Sequence, residues 1–196
     1  MSLMDVIVDY LFAMAPYALG ALPFAAMWRF LRKKTFKKNG IITTAEHEIA
    51  SVLFVMFMAA LISQTVITDL SGISLENLEI HTERINLIPF KEIKIAFYLG
   101  GSFFLVNFIG NLVMFLPIAF FTGLLYNKSS FLKCVLITAA FSVFVEVCQL
   151  PQDRGTDIDD VILNTLGGVM GYALYLIVGR IFPEFTKRCR VSRSDK

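Results

Sequence analysis

The sequence predicts an all-α membrane protein, a bundle of about five transmembrane helices. Hydrophobic residues make up 56% of the 196 residues and charged residues only 17%, whereas a soluble domain is about a quarter charged. The mean hydropathy is +0.67. The charged residues are also clustered, so apolar stretches of about 20 residues, the length that crosses a bilayer, alternate with short polar connections.

Five apolar stretches account for the predicted helices. We place the spans at residues 10–31, 49–67, 103–125, 131–150 and 161–182, within one transmembrane domain covering residues 1–196. The N-terminus carries Asp5 and Asp9 where a cleavable signal peptide would carry basic residues. We therefore expect the first span to remain in the mature chain.

Basic residues predict the orientation, because cytoplasmic connections are enriched in Lys and Arg. With five crossings and the N-terminus outside, three basic clusters fall on the inner side: Arg32, Lys33, Lys34, Lys37 and Lys38; Lys128 and Lys133; and Lys187, Arg188, Arg190, Arg193 and Lys196. The other two connections are acidic or mixed. The sequence thus predicts an N-out, C-in protein.

The segment before the third span contains a candidate interfacial helix. Within residues 85–99, Ile93, Ala96 and Phe97 follow helical spacing among charged residues, which is typical of a short amphipathic helix at the membrane surface. Gly100-Gly101 would then form a hinge into the third span. An ordinary solvated loop is the alternative.

Polar side chains inside the spans are the candidate functional residues. A carboxylate in the apolar region costs roughly 2.5–3.5 kcal/mol on insertion scales, so Glu146 in the fourth span predicts a functional site. Ser142, Glu146 and Gln149 share one helix face. In the third span, Asn107 and Asn111 are four residues apart, and Pro117 weakens the helix by removing a donor.

The start of the fifth span is also polar. Asp157 or Asp159 is placed to cap this helix, and Asp160 and Asn164 follow at helical spacing. Deeper in the span, small residues predict close packing against a neighbouring helix: Gly167, Gly168 and Gly171.

In the predicted orientation, three helices bring polar residues to one depth near the extracytoplasmic surface. We therefore predict a ligand-binding site formed by Asn111, Glu146, Gln149, Arg154, Asp157, Asp160 and Asn164. The structural alternative is that each Asn only bonds a neighbouring helix, that Glu146 pairs with Arg154 to lock the bundle, and that the aspartates are solvated caps.

Several other functions find little support in the composition. The net charge of +2 is too small to indicate nucleic-acid binding. Cys134, Cys148 and Cys189 give no disulfide framework, and His47 and His81 lack ligand-like neighbours, so we predict no metal site and no cofactor.

The polar motifs resemble those of the VanZ-like family. The similarity extends over residues 86–172 and departs at Ile118-Ala119, where the family commonly has a glycine after the proline. The residues that carry it are Asn86–Phe90, Asn111–Pro117, Glu146, Gln149, Arg154, Asp157, Asp160, Asn164, Gly167 and Gly171.

The resemblance implies a multi-pass protein of the bacterial cytoplasmic membrane with an extracytoplasmic functional face. The family's namesake is associated with resistance to teicoplanin, a lipid-bearing glycopeptide antibiotic. We expect a non-enzymatic outer-leaflet site for such an antibiotic or for a lipid-linked cell-wall precursor.

Two alternatives remain open at the level of sequence. The first is an intramembrane enzyme acting on a lipid-linked envelope substrate, with Glu146, Asp157 and Asp160 as candidate catalytic residues. The second is a membrane scaffold that docks a partner through the small-residue face of the fifth span. Whether the chain forms a homo-oligomer is also left open.

Overall fold

The computed structural model describes residues 3–67, 85–150 and 156–193. As predicted, the protein is an all-α membrane protein. Within the described residues, four helical segments are long and apolar enough to cross a bilayer: Ala45–Val66, Leu105–Leu125, Phe131–Gln149 and Ile158–Ile181. A pair of helices bent by 44°, Leu11–Gly20 and Leu22–Lys38, provides a fifth span if it crosses as one unit. Large apolar side chains such as Phe12 and Phe24 remain 75% and 67% exposed, as expected for surfaces that face lipid.

The first predicted span is divided in the structure. Helix α1 covers Leu3–Gly20 and α2 covers Leu22–Lys38, so the bend falls where Gly20 ends one helix and Pro23 opens the next. The basic cluster that we expected in a connection lies inside α2 instead. Lys and Arg favour helix, and their charge is stabilising near a helix C-terminus.

The middle of the chain combines α-helices with π-helical turns. Helix α3 covers Ala45–Ile62 and continues as a π-helix over Ser63–Ile67. Helix α4 covers Lys91–Leu99, where we predicted the short amphipathic helix. Gly100 and Gly101 have φ of 58° and 53°, a conformation that favours glycine, and they turn the chain into the next span.

The third candidate span is assembled from three consecutive helical segments. They are α5 at Gly101–Phe104, a π-helix at Leu105–Gly110 and α6 at Asn111–Leu125. Helix α6 runs through Pro117, whose ring nitrogen cannot donate to the carbonyl of Val113.

The remaining helices complete the bundle. Helix α7 covers Phe131–Gln149, α8 covers Ile158–Ile181 and α9 covers Pro183–Arg188. In the described part of the chain, two short strand pairs join segments that are distant in sequence. Strand β1 (Ile41–Ile42) pairs antiparallel with β4 (Ser192–Arg193), and β2 (Ile85–Asn86) pairs parallel with β3 (Thr156–Asp157).

Glycines of α8 allow its close packing against α6 and α7. A Cβ at Gly167 or Gly171 would overlap the carbonyl oxygen of Leu112 or Leu116 in α6. A Cβ at Gly168 would lie 2.8 Å from Cβ of Thr138 in α7. The small-residue face of α8 is therefore covered within the chain itself.

The bundle has a basic end, where three connections meet. The Thr44 hydroxyl donates to the carbonyl of Arg188, and Asn127 Nδ2 donates to the carbonyl of Val191 at 2.6 Å. Glu46 forms an ion pair with Arg188 at 3.0 Å. The α2–α3 turn, the α6–α7 turn and the C-terminal segment thus lie together, and the strand pair β2–β3 lies at the opposite end of α8.

Candidate functional site

The strand pair β2–β3 places Asn86 beside the first residues of α8. Asn86 lies opposite Asp157 in the parallel register. Its Nδ2 donates to both carboxylate oxygens of Asp157, at 3.1 and 3.2 Å. The segment before α4 is therefore tied to the start of the fifth candidate span by backbone pairing and by a side-chain amide.

Asp157 caps helix α8 and is itself held by Glu146. The Asp157 carboxylate accepts from the N–H of Asp159 at 2.9 Å, which is an N-cap contact. The Asp157 N–H donates to Oε2 of Glu146 at 3.0 Å. Glu146, which is 5% exposed, thus holds the residue that begins α8 beside the end of α7.

Asp159 caps a different helix. Its carboxylate accepts from the N–H groups of Phe90 and Ile93, which belong to the N-terminus of α4; the second contact is 3.1 Å. Asp159 is 1% exposed. Two of the orphan amides at the start of α4 are satisfied in this way, and the position of α4 is coupled to that of α8.

Asp160 is held from the third candidate span. Asn111 Nδ2 donates to Oδ1 of Asp160 at 2.6 Å and also to the carbonyl of Asn107 at 3.1 Å. Asn107 belongs to the π-helical turn before α6, and such turns are frequent at functional sites. The three aspartates of this short stretch therefore have three different sets of partners.

A cavity of about 630 Å³ opens between α4, the π-helical turn and the start of α8. Its size falls within the range of small-molecule sites, about 300–1,000 Å³. Its polar lining consists of Asn86, Lys91, Glu92, Asn107, Thr156, Asp157, Asp159 and Asp160, and its apolar lining of Ile85, Leu87, Ile88, Ile93, Ala96, Phe103 and Leu163.

The described residues give this cavity a mainly negative charge. Among them, four carboxylates and one ammonium group line it, and the ammonium group of Lys91 lies 4.0 Å from Oε1 of Glu92. The carboxylates of Asp157 and Asp160 are oriented by Asn86 and Asn111. Such a site can accept hydrogen bonds from amine, hydroxyl and amide groups of a ligand, and its apolar wall can contact a hydrophobic part.

The structure brings some of the predicted site residues together at the cavity and places others elsewhere in the bundle. Asp157 and Asp160 line the cavity, and Asn111 and Glu146 hold them from behind. Gln149 instead donates to the carbonyl of Thr65 at 2.9 Å, next to α3.

Asn164 lies deeper in the bundle, where its Nδ2 donates to Oγ of Ser142 at 2.9 Å. It joins α8 to α7 and does not line the cavity. Arg154, the remaining predicted residue, lies outside the described residues.

Several cavity residues were not among the predicted site residues. They come from the segment before the third span and from the π-helical turn at the start of that span: Asn86, Lys91, Glu92 and Asn107. Two of them could have been identified from the sequence. Asn86 is the first residue of the motif Asn86–Phe90, and Asn107 lies one helical turn before Asn111. The sequence offered no sign that α4 folds over the start of α8.

Comparison with known proteins identifies a family for the part of the chain that contains the cavity. The family model described as VanZ/LLP1 matches residues 49–179. This range contains every described residue that lines the cavity. No solved structure matches the chain.

A curated relative is Protein VanZ of Enterococcus faecium. It is 31% identical over 96 residues, and the alignment covers 48% of this chain and 54% of the relative. The chain thus spans about half the length of the curated relative that it matches. Because the family model matches well over half of the chain, the chain belongs to the VanZ/LLP1 family.

Proposed function

We propose that the protein contributes to resistance against teicoplanin-type lipoglycopeptide antibiotics by binding the polar part of the antibiotic at the membrane surface. The observation that carries the proposal is the cavity lined by Asp157 and Asp160, whose carboxylates are oriented by Asn86 and Asn111. The relative named Protein VanZ supports the choice of antibiotic class.

The charge of the cavity favours a glycopeptide over a lipid-linked precursor. Sugar hydroxyls and peptide N–H groups are donors, and they complement the oriented carboxylates of Asp157 and Asp160. A precursor that carries a diphosphate would bring negative charge to the same carboxylates, which is unfavourable. The cavity of about 630 Å³ accommodates a part of such an antibiotic, for example a sugar or an edge of the peptide.

The position of the cavity supports access from outside the cell. The basic clusters lie at the opposite end of the bundle, where the end of α2 and the α2–α3 turn meet the C-terminal segment. By the positive-inside rule, that end faces the cytoplasm of the bacterium and the cavity faces the extracytoplasmic surface. An acyl chain of the antibiotic would remain in the outer leaflet while its polar part enters the cavity.

The proposal is tested by teicoplanin susceptibility of a sensitive bacterial host. The host expresses wild type, Asp160→Asn or Asp157→Asn at matched membrane levels. The control is Glu46→Gln, which removes a carboxylate paired with Arg188 at the basic end. We expect protection by wild type and Glu46→Gln, and loss of protection with the two cavity variants.

A direct binding measurement distinguishes loss of antibiotic binding from other causes of increased susceptibility. Fluorescently labelled teicoplanin is titrated against the purified proteins, with labelled vancomycin as the comparison. Loss of a charge-assisted hydrogen bond in Asp160→Asn should weaken teicoplanin binding by about tenfold or more. Equal protection and equal binding by wild type and both cavity variants would reject this site.

A carboxylate-dependent enzyme is a second candidate, because Asp157 and Asp160 line one cavity. In that case one aspartate would act as general acid or base on a lipid-linked envelope substrate. Turnover of such a substrate by purified wild type, abolished in Asp160→Asn, would favour the enzyme. Saturable teicoplanin binding without chemical change of the antibiotic would favour the binding site.

A further inference from the structure

A second cavity lies at the basic end of the bundle, away from the proposed antibiotic site. Its volume is about 320 Å³, and it opens between α2, α3 and the α6–α7 turn. Trp28, Arg32 and Phe36 contribute one wall, while Phe54 and Val55 of α3 contribute another. One arginine thus lies within a mainly aromatic and aliphatic lining.

The guanidinium of Arg32 is held in a fixed position. Its central carbon lies 4.6 Å from the ring centroid of Trp28 and 4.5 Å from that of Phe36, so it is stacked between two aromatic rings. It also contacts Nε2 of His47. His47 Nδ1 lies 2.6 Å from the carbonyl of Cys189, which can only accept, so Nδ1 carries the proton and Nε2 accepts from Arg32.

Among the described residues, no carboxylate is in direct contact with the guanidinium of Arg32. Glu48, which interacts with Arg32 electrostatically, bonds Nε of Arg29 at 2.9 Å. Within residues 3–67, 85–150 and 156–193, no carboxylate lies within ion-pair distance of Arg32. A stacked and partly buried guanidinium with spare N–H donors is suited to bind phosphate.

The surroundings add further positive charge. Helix α2 carries four lysines in its last two turns: Lys33, Lys34, Lys37 and Lys38. Basic residues at the end of membrane-spanning helices attract anionic lipids, at about 1 kcal/mol for each Lys or Arg near the surface. The charge therefore favours an anionic molecule at this cavity.

We propose that this cavity binds one anionic phospholipid, with the phosphate at Arg32 and an acyl chain against Phe54 and Val55. A free phosphate would use the arginine alone, whereas a phospholipid would also cover the apolar lining contributed by α3 and Leu125. The site is independent of the antibiotic cavity, which lies at the other end of α8.

Trp28 provides a direct reporter, because it lines the cavity and is the single tryptophan of the sequence. The full-length protein is purified in a neutral detergent and titrated with phosphatidylglycerol brominated on its acyl chains. Brominated phosphatidylcholine is titrated in parallel, and quenching of Trp28 fluorescence is measured. We expect half-maximal quenching at a concentration about tenfold lower for the anionic lipid.

Three variants test the assignment. Arg32→Gln should remove the preference for phosphatidylglycerol, and Val55→Phe should reduce quenching by filling the apolar part while leaving Arg32 in place. Lys94→Gln is the control, since it removes a lysine of α4 at the other end of the bundle that does not line this cavity. It should retain the preference within about twofold.

Four outcomes would overturn the proposal. They are equal quenching by the two lipids, equal loss of preference in Lys94→Gln and Arg32→Gln, unchanged lipid binding in Val55→Phe, and displacement of the lipid by inorganic phosphate at comparable concentration. The last result would assign the cavity to a free phosphate.

Discussion

Asn111 and Asp160 connect two candidate membrane spans through a hydrogen bond of 2.6 Å from Nδ2 of the amide to Oδ1 of the carboxylate. The same amide group bonds the carbonyl of Asn107 in the π-helical turn. One side chain thus fixes the position of a cavity-lining aspartate and the backbone that faces it.

Replacing Asn111 with Leu should destabilise the protein. The change removes a hydrogen bond to a charged group between α6 and α8, worth about 1.5–3 kcal/mol. We expect a lower midpoint of thermal unfolding in detergent and weaker teicoplanin binding.

Asn107→Ala is the matched control for this change. Asn107 is an exposed asparagine of the same span, and its Nδ2 donates only to the carbonyl of Phe103 among the described residues. Its effect on stability should stay within about 0.5 kcal/mol. An Asn111→Leu protein that unfolds at the wild-type temperature would contradict the importance of the contact.

Replacing Gly171 with Ala should separate α8 from α6. A Cβ at this position would overlap the carbonyl oxygen of Leu116 and lie 2.9 Å from its carbon, so the two backbones must move apart. Overpacking of this kind costs about 1–3 kcal/mol, measured as a lower thermal unfolding midpoint.

Gly179→Ala provides the comparison within the same helix. Its Cβ would meet the side chain of Thr186 at an ordinary 3.8 Å. Because Ala favours helix over Gly by about 1 kcal/mol, this variant should be neutral or slightly stabilised. If both glycine variants unfolded at the same temperature, close packing at Gly171 would not matter.

Replacing Asp159 with Ala should release helix α4 from the start of α8. The carboxylate caps the helix through the N–H groups of Phe90 and Ile93, and loss of a cap costs about 0.5–2 kcal/mol. Hydrogen exchange measured by mass spectrometry should therefore accelerate in residues 91–99.

Glu92→Gln is the control for the α4 experiment. It removes a carboxylate from the same helix that lies near Lys91 at its partly exposed surface. Exchange in α4 should stay close to that of wild type. Unchanged exchange in Asp159→Ala would show that other contacts hold the helix.

The thiol of Cys189 should react slowly in the folded protein. Burial raises the pKa of this thiol, so less thiolate is present at a given alkaline pH than in the unfolded chain. The raised pKa of Cys189 therefore contributes stability to the folded protein below the ordinary thiol pKa, and this stability is lost as the pH rises through the raised pKa. Alkylation at Cys189, followed by peptide mass spectrometry, should be at least about tenfold slower in native than in denatured protein.

Release of the C-terminal segment should expose this thiol. His47 donates to the carbonyl of Cys189 at 2.6 Å, so His47→Ala should accelerate alkylation at Cys189. Glu184→Gln removes only an exposed ion pair with Lys187 and should not. Equal rates in His47→Ala and wild type would argue against anchoring by His47.

The membrane class, the family and the identity of many polar residues were evident in the sequence. Apolar length and charge clustering indicate spans without knowledge of their neighbours, because each helix satisfies its own backbone in lipid. The prediction of a helical membrane protein and the resemblance to the VanZ-like family are confirmed. The N-out orientation stays a prediction that follows from the basic clusters.

The bend in the first predicted span was not evident from hydropathy. Hydropathy indicated one span over residues 10–31, whereas the structure has two helices that meet at a bend, the second of which continues through the basic cluster. Average hydropathy does not detect the local break between Gly20 and Pro23. Charged residues at the end of a helix are also compatible with helical structure.

The roles of the aspartates were decided by tertiary structure alone. Helical spacing determined the directions in which Asp157, Asp159 and Asp160 leave the start of α8, but it did not determine which segment lies in each direction. In the structure Asp157 meets Asn86, Asp159 meets the N-terminus of α4, and Asp160 meets Asn111. These contacts join residues 49 to 71 positions apart, and only the packing of the helices brings such distant groups together, because a periodic pattern describes one helix at a time.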